Sequence, residues 1–90
     1  MAPRLTLPHC VYIVRCADGS LYTGYSRDPE QRVKVHNSGR GAKYTAGRRP
    51  VTLVHIELFK RRGDALRREL TIKAWPLAKK LAILTAGQRG

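Results

Sequence analysis

Apolar residues along this chain fall into three short runs and, further on, into stretches with helical spacing. The first two runs, at about 10–16 and 20–25, mix β-branched and aromatic residues and flank Asp18-Gly19, a strong hairpin signal. They predict two antiparallel strands. The run from Val51 to Phe59 predicts the longest strand. Because it is apolar on both faces, we expect it at the centre of the sheet.

The length of the hairpin loop decides whether two tyrosines share a face of the sheet. A two-residue loop of Asp18-Gly19 would place Tyr12 opposite Tyr25 and leave Tyr22 on the other face. A three-residue loop with Gly19 in the left-handed bulge position instead makes Tyr12 a diagonal neighbour of Tyr22, about 7–8 Å away. We expect the three-residue loop, which puts both rings on one face.

A helix is predicted directly after the hairpin. Asp28-Pro29 is typical of an N-cap followed by the first helical residue, and Gln31 completes a capping-box pattern. Ser38-Gly39 predicts the end of the helix. Arg32 and His36 lie one turn apart and therefore share a face.

The basic segment, residues 38–49, is predicted to be a flexible loop. It carries three glycines, four cations and one tyrosine, with almost no apolar residue. Its cations are expected to meet phosphates, and its tyrosine to stack on an unpaired base, which is worth about 1–3 kcal/mol. The residues assigned to nucleic-acid binding are Arg40, Lys43, Tyr44, Thr45, Arg48 and Arg49.

Two further helices follow the third strand. Asp64 is predicted to cap a helix over about 65–75, and Pro76 separates it from a third helix that ends at Gly87. At 100° per residue, Glu69 and Lys73 point with the apolar face of the second helix. The apolar set on that face is Ala65, Leu66, Leu70, Ile72 and Ala74, whereas Arg67, Arg68, Thr71 and Trp75 are expected to point away.

A carboxylate on an apolar face has two interpretations. One is an ordinary ion pair between Glu69 and Lys73 at the rim of the core, and the other is a metal ligand or general base. Elimination favours the second, because most other acids have a local role. We assign Asp18 to a turn, Asp28 and Asp64 to caps, Glu30 to the first turn of a helix, and Glu57 to a pair with Lys60 or Arg61.

Length and composition indicate the size of the domain and the kind of partner it binds. Ninety residues suffice for one small domain, which we place at 10–87 after a flexible lead-in over 1–9. The 18 Lys and Arg residues against 6 Asp and Glu give a net charge of +12, which favours a polyanion such as nucleic acid as partner. Cys10 and Cys16 are interpreted as reduced core thiols of a cytoplasmic protein. No apolar stretch indicates secretion or a membrane span.

Several short motifs in this order resemble the GIY-YIG nuclease superfamily, and in particular its small single-domain bacterial YhbQ-like branch, which includes single-strand-specific members. The similarity spans about residues 10–85. The sequence has no counterpart of the asparagine that larger members carry beyond the glutamate, since its sole asparagine is Asn37. The matching residues are VYI at 11–13, YTG at 22–24, Arg32, His36, GAKYT at 41–45, RRPVTLV at 48–54 and ALRRELTIK at 65–73.

The resemblance implies an α+β fold in which helices flank a three-stranded antiparallel sheet. It also implies a metal-dependent endonuclease that uses one Mg²⁺ or Mn²⁺. The family's motif residues fall on Tyr12, Tyr22, Gly24, Arg32, His36 and, as metal ligand, Glu69.

Phosphodiester hydrolysis needs a base, cations for the phosphoryl oxygens and help for the leaving oxygen. With one spare carboxylate, Glu69, a single metal is expected. Tyr12 or Tyr22 is the base, with a slight preference for Tyr12. Arg32 is expected to clamp the phosphate, and His36 to bond a tyrosine or the phosphate. The leading expectation is therefore cleavage of single-stranded or branched DNA. The alternative is a non-catalytic nucleic-acid-binding protein, with RNA as a possible partner.

Overall fold

A computed structural model describes residues 8–89, with side chains up to residue 84. It shows an antiparallel sheet of three strands in the order β2-β1-β3, flanked by helices, and so confirms the expected α+β fold. The lead-in expected at residues 1–9 lies mostly outside the described residues, and the division into lead-in and domain stays a prediction. The elements are β1 (His9–Arg15), β2 (Leu21–Ser26), α1 (Pro29–Asn37), α2 (Lys43–Ala46), β3 (Thr52–Phe59), α3 (Arg62–Lys73) and α4 (Leu77–Arg89).

The β1–β2 hairpin has the three-residue loop. The Cys16 amide donates to the Ser20 carbonyl at 2.8 Å, and Gly19 has φ of 87°, in the left-handed region that favours glycine. In the resulting register Tyr12 pairs with Gly24. Tyr12 and Tyr22 therefore lie on the same face, as predicted.

The central strand is β1, not β3, so the prediction for the strand at 51–59 is wrong on this point. β1 is buried over five consecutive residues from Cys10 to Val14, and it pairs with both neighbours. β3 is the longest strand, but it lies at an edge, where Ile56 and Leu58 are exposed. An apolar run reports the composition of a strand, whereas neighbours on both sides decide whether that strand is central.

The N-terminal caps of α1 and α3 differ from each other. Asp28 caps α1 by accepting a bond from the Gln31 amide at 3.2 Å, as predicted, although the Asp28 amide donates to Ser26 Oγ rather than completing a capping box with Gln31. α3 begins at Arg62, earlier than expected and without a side-chain cap. Asp64 therefore lies inside the first turn of α3, where it pairs with Arg67 instead of capping the helix.

The core occupies both faces of the sheet. Val11 and Ile13 of β1 pack with Ala65, Ile72 and Leu84 of the helices α3 and α4. The opposite face of β1 carries a second cluster against which residues of α1 pack. This cluster comprises Tyr12, Val14, Cys16 and Val51.

Three predictions about side chains near α3 are wrong. Leu70 is 67% exposed and not part of the core, whereas Trp75 packs against the core because the chain turns back after α3. Glu57 pairs with Arg68 at 2.7 Å and with His55 at 2.9 Å, not with Lys60 or Arg61. His55 is two residues away on the same strand, where alternate side chains share a face, and Arg68 reaches the carboxylate from α3.

Cys10 and Cys16 are buried and are not joined in a disulfide, as expected for reduced core thiols. Within the described residues, no helix has the length and apolar character needed to cross a membrane.

Candidate active site

Tyr12 occupies the centre of the site, where its ring lies across the backbone of Gly24. A Cβ added to Gly24 would stand 2.4 Å from Tyr12 Oη, so glycine is required for the ring to lie there. Tyr12 is 1% exposed. Its hydroxyl is 2.8 Å from His36 Nε2, which joins the central strand to α1.

His36 is held on both ring nitrogens. Thr45 donates its hydroxyl proton to the Ala42 carbonyl at 3.2 Å, so its oxygen accepts a bond from His36 Nδ1 at 2.8 Å. Nε2 then carries the lone pair and accepts the proton of the Tyr12 hydroxyl. Gly41 packs so closely against the imidazole that a Cβ there would stand 2.2 Å from Nδ1. The sequence therefore folds to fix both the tautomer and the orientation of His36.

Thr45 is the one assigned nucleic-acid contact that is fully buried. Its hydroxyl is committed to His36 and to the Ala42 carbonyl. The prediction that Thr45 contacts nucleic acid is therefore wrong, because its side chain faces inward and positions the imidazole.

Burial and neighbouring charges keep both central groups neutral. Burial raises the pKa of Tyr12, Tyr22 and Glu69 add to that rise, and the Arg32 guanidinium opposes it. Burial lowers the pKa of His36, and Arg32 lowers it further. At neutral pH the pair is consequently a phenol and an uncharged imidazole, with the phenol as donor.

A row of rings extends from the imidazole to the surface. The edge of Tyr22 contacts His36, with the centroids 5.2 Å apart, and Tyr44 stacks on Tyr22 at 5.9 Å. The Arg48 guanidinium lies 4.1 Å from the Tyr44 centroid and pairs with Asp18 of the hairpin loop at 3.0 Å. Tyr44 is 39% exposed, but because Arg48 lies over its ring and Tyr22 stacks on it, a base would stack there by displacing one of these groups.

The basic segment is more ordered than predicted. It contains the short helix α2, and Arg49 donates to the carbonyls of Ala46 at 2.8 Å and Asn37 at 3.3 Å. Asn37 itself bonds both the amide and the carbonyl of Val51, at 2.7 and 3.1 Å. These contacts tie the segment to the end of α1 and the start of β3. Arg40 and Lys43 are exposed on the same segment.

Glu69 of α3 is paired with Lys73 at 3.1 Å, and its side chain is 15% exposed. The ion-pair interpretation is therefore correct, but the pair also belongs to the site. Lys73 Nζ lies 5.9 Å from the Tyr22 centroid, and the charge of Glu69 acts on Tyr12. Sequence reasoning did not assign Lys73 to the site, although its one-turn spacing from Glu69 was a usable signal.

The donor set suits a hard divalent cation held by one protein carboxylate. Among the described residues there is no cluster of three His, Cys, Asp or Glu side chains able to hold a metal ion. Mg²⁺ needs no such cluster, since it commonly keeps several waters and binds one or two carboxylates together with substrate phosphates. Glu69, which is 15% exposed and close enough for its charge to act on Tyr12, fits that pattern once Lys73 is displaced.

Some of the residues assigned to catalysis are in direct contact with one another, and others act on them through their charge. Tyr12, Tyr22 and His36 are in direct contact. Arg32 is exposed on α1 and acts on Tyr12 and His36 through its charge. Glu69 reaches the group from α3. The site thus combines the sheet with two helices that are far apart in sequence.

Comparisons with known proteins agree with this architecture. The family model of the GIY-YIG catalytic domain matches residues 8–82. The UPF0213 protein SSP2268 of Staphylococcus saprophyticus is 53% identical over 79 residues, which are 88% of this chain and 96% of that protein. A UPF0213 protein of Staphylococcus aureus is 54% identical over 76 residues, which are 84% of this chain and 93% of that one.

Two solution NMR structures are similar as well. The UPF0213 protein BH0048 of Bacillus halodurans has a TM-score of 0.58 and 45% identity, covering 87% of this chain and 83% of that one. Protein EF2693 of E. faecalis has a TM-score of 0.61 and 42% identity, covering 91% and 88%. With this sheet, this site and these relatives, the chain belongs to the GIY-YIG family, among small bacterial proteins of the UPF0213 type.

Proposed function

We propose that this chain is a divalent-metal-dependent endonuclease that hydrolyses phosphodiester bonds in single-stranded or branched DNA. The observation that carries the proposal is the hydrogen bond from the Tyr12 hydroxyl to His36 Nε2, beside the carboxylate of Glu69. It gives the Tyr12 hydroxyl an acceptor for its proton. Membership of the GIY-YIG family and the net charge of +12 support the same activity.

Tyr12 acts as the general base through a relay. Because burial raises the pKa of Tyr12, its side chain is a protonated phenol, not a phenolate, before the reaction begins. The phenol oxygen instead accepts a proton from the attacking water while its own proton passes to His36 Nε2 along the 2.8 Å bond. His36 receives that proton because it is neutral and Thr45 fixes its other nitrogen. Tyr22 contacts the imidazole by its ring edge and orients it.

The remaining groups bind the substrate. The guanidinium of Arg32 clamps the phosphoryl oxygens and stabilises the charge that develops on them. Tyr44 stacks on an unpaired base, and Arg40, Lys43 and Arg48 meet flanking phosphates. Nothing in this arrangement reads base edges in a major groove, so strandedness rather than base sequence selects the substrate.

Glu69 is the residue that would hold the metal, one Mg²⁺ or Mn²⁺. When bound, such an ion polarises a phosphoryl oxygen and neutralises negative charge at the site. Glu69 must exchange its pair with Lys73 to do so, which leaves the Lys73 ammonium free beside Tyr22. The buried thiols of Cys10 and Cys16, which are not joined in a disulfide, support action in a reducing compartment such as the cytoplasm.

The deciding experiment compares Glu69→Gln with Asp64→Asn, a matched loss of one charge on the same helix in an exposed pair away from the site. Purified proteins are incubated with labelled single-stranded, forked and duplex DNA, with Mn²⁺ or with EDTA, and cleavage and binding are both measured. We expect Glu69→Gln to abolish cleavage while binding stays intact or becomes tighter, and Asp64→Asn to resemble wild type. Equal cleavage by Glu69→Gln rejects the metal role.

Two further variants separate the roles of the tyrosines. Tyr12→Phe should lose cleavage, whereas Tyr22→Phe should retain part of it, because its ring still orients His36. The reverse order would make Tyr22 the base.

The same experiment tests the alternative, a non-catalytic protein that binds DNA or RNA. That protein would bind without cleaving under every condition, and Glu69→Gln would keep its full function. The charge of +12 and the exposed Tyr44 are compatible with it, whereas the relay through His36 is not needed by it.

A further inference from the structure

A second cationic feature lies at the far end of β2 from the basic segment. A cleft of about 680 Å³ opens where β2 leads into α1, and α3 begins on its other side. Its walls include Arg27, Arg32 and Arg62 together with Tyr25 and Asp28. We refer to the three guanidinium groups and the space between them as the arginine cleft.

The arginine cleft has an excess of positive charge. Three guanidinium groups face one carboxylate, that of Asp28, which accepts the capping bond from Gln31. Between residues 8 and 84, none of these arginines forms an ion pair with a carboxylate. Arg donors that remain unpaired around one cleft suit the planar oxygens of a phosphate.

The wall opposite α1 is firmly built. Tyr25 bonds through its hydroxyl to His9 Nδ1 at 2.7 Å and stacks on the same ring, with the centroids 5.9 Å apart. The Arg62 guanidinium lies 6.0 Å from the Tyr25 centroid. The aromatic pair therefore gives Arg62 a fixed support at the mouth of the cleft.

The position of the cleft relative to the active site follows from the order of residues on β2. Tyr22, with Tyr44 stacked on it, is near the hairpin end of the strand. Gly24, under the Tyr12 hydroxyl, is in the middle, and Arg27 comes just beyond the other end. At about 3.3 Å per residue, Tyr22 and Arg27 are roughly 17 Å apart. Along β2, Tyr12 thus lies between the aromatic platform and the cationic cleft, although Tyr25, which supports Arg62, packs on the opposite face of the sheet. Arg32 belongs to both the site and the cleft.

We propose that the arginine cleft binds backbone phosphates of the same DNA strand that Tyr44 engages, on the other side of the phosphate under attack. The proposal rests on the proposed function, which places the phosphate under attack at Tyr12. Phosphates on one strand of B-DNA are about 3.4 Å apart along the axis, so a span of roughly 17 Å corresponds to about five nucleotides at that rise and to fewer on an extended single strand. A strand shorter than that reaches one end of the site, and a longer strand reaches both.

The test measures binding without catalysis. Wild type, the double variant Arg27→Gln/Arg62→Gln and a charge-matched control, Lys60→Gln/Arg61→Gln, are titrated in EDTA with fluorescent single strands of about 2 and 10 nucleotides. Lys60 and Arg61 are exposed and adjacent in sequence to Arg62, but neither lines the cleft. The salt dependence of each affinity is measured as well.

Wild type and the control should bind the longer strand more tightly than the shorter one, and the cleft variant should lose most of that difference. Each phosphate contact on a single strand contributes about 0.7 to the slope of log affinity against log salt. Loss of two contacts should therefore lower the slope for the longer strand by about 1.4 in the cleft variant.

Equal losses in the cleft variant and the control would show diffuse attraction by net charge and overturn the inference, while the proposed endonuclease would still stand. An unchanged length dependence in the cleft variant would overturn it as well. Failure of wild type to bind either strand would reject both the inference and the proposed function. Thermal unfolding of each variant shows whether a loss of binding reflects a loss of folding.

Discussion

Gly24→Ala adds only one methyl group, but it should lower the stability of this protein strongly. The added methyl would stand 2.4 Å from Tyr12 Oη and 2.5 Å from Tyr12 Cζ, whereas ordinary contact begins at 3.4 Å. Tyr12 must therefore move by about 1 Å, or the β1–β2 pairing must open. Neither is easy, because Tyr12 is 1% exposed and is bonded to His36 at 2.8 Å.

The cost follows from two effects. Overpacking a well-packed core costs about 1–3 kcal/mol, and a buried donor that loses its acceptor costs about 1–3 kcal/mol more. A shift of the Tyr12 ring relieves part of the overpacking and part of the lost hydrogen bond. We therefore expect the free energy of unfolding to fall by about 2–4 kcal/mol, a large share of the roughly 5–15 kcal/mol typical of a folded domain. At about 4–8 °C per kcal/mol, the melting temperature should drop by at least about 8 °C.

The assay is urea unfolding with a matched control, Gly47→Ala. A Cβ at Gly47 meets nothing within 4 Å, and its φ is −92°, which any residue adopts. The control should stay within about 0.5 kcal/mol of wild type. Cleavage by Gly24→Ala, measured where the variant is still folded, should fall by about 100-fold because the phenol is misplaced by about 1 Å. Equal stability of the two variants would refute the packing of Tyr12 over Gly24.

Three further predictions concern charge and stacking. The hydrogen bonds from His55 and Arg68 lower the pKa of Glu57 to about 2, so the unfolded chain binds the extra proton and the free energy of unfolding should fall as pH drops from about 4.5 towards 2. Glu57→Gln should flatten that decline in urea titrations, and an unchanged decline would contradict the prediction. Since burial lowers the pKa of His36, the single-turnover cleavage rate should stay constant as pH falls through about 6.5 and should decline only at lower pH. A cleavage rate that rises in acid would reject the relay. Tyr44→Ala should weaken binding of single strands more than of duplex, with Tyr44→Phe as the control that keeps the stack, and equal losses on both substrates would argue against stacking.

Local signals in the sequence predicted the hairpin and the first helix because those elements are set by adjacent residues. Gly19 supplies the left-handed backbone that a three-residue loop requires, and Asp28 supplies the cap of α1. The placement of Tyr12 and Tyr22 on one face follows directly from that loop. Pairing of non-adjacent strands has no such local signal, so β3 was wrongly expected at the centre of the sheet.

The candidate site shows the same division. The side chains came from spacing and family resemblance, but the role of Thr45 depends on a contact with His36 nine residues away, and that of Lys73 on its approach to Tyr22 from another helix. Glu57 likewise pairs with Arg68 of another element, eleven residues away, in addition to His55 two residues away on its own strand.

By itself, the sequence determined the hairpin register, the cap of α1, the excess of positive charge and the residue types available for phosphodiester chemistry, because each depends on neighbours along the chain or on composition alone. Tertiary structure decided which strand is central, which tautomer His36 adopts, and that Gly24 leaves room for Tyr12. Those outcomes depend on close packing and hydrogen bonds between residues distant in sequence, and such contacts exist only once the chain has folded.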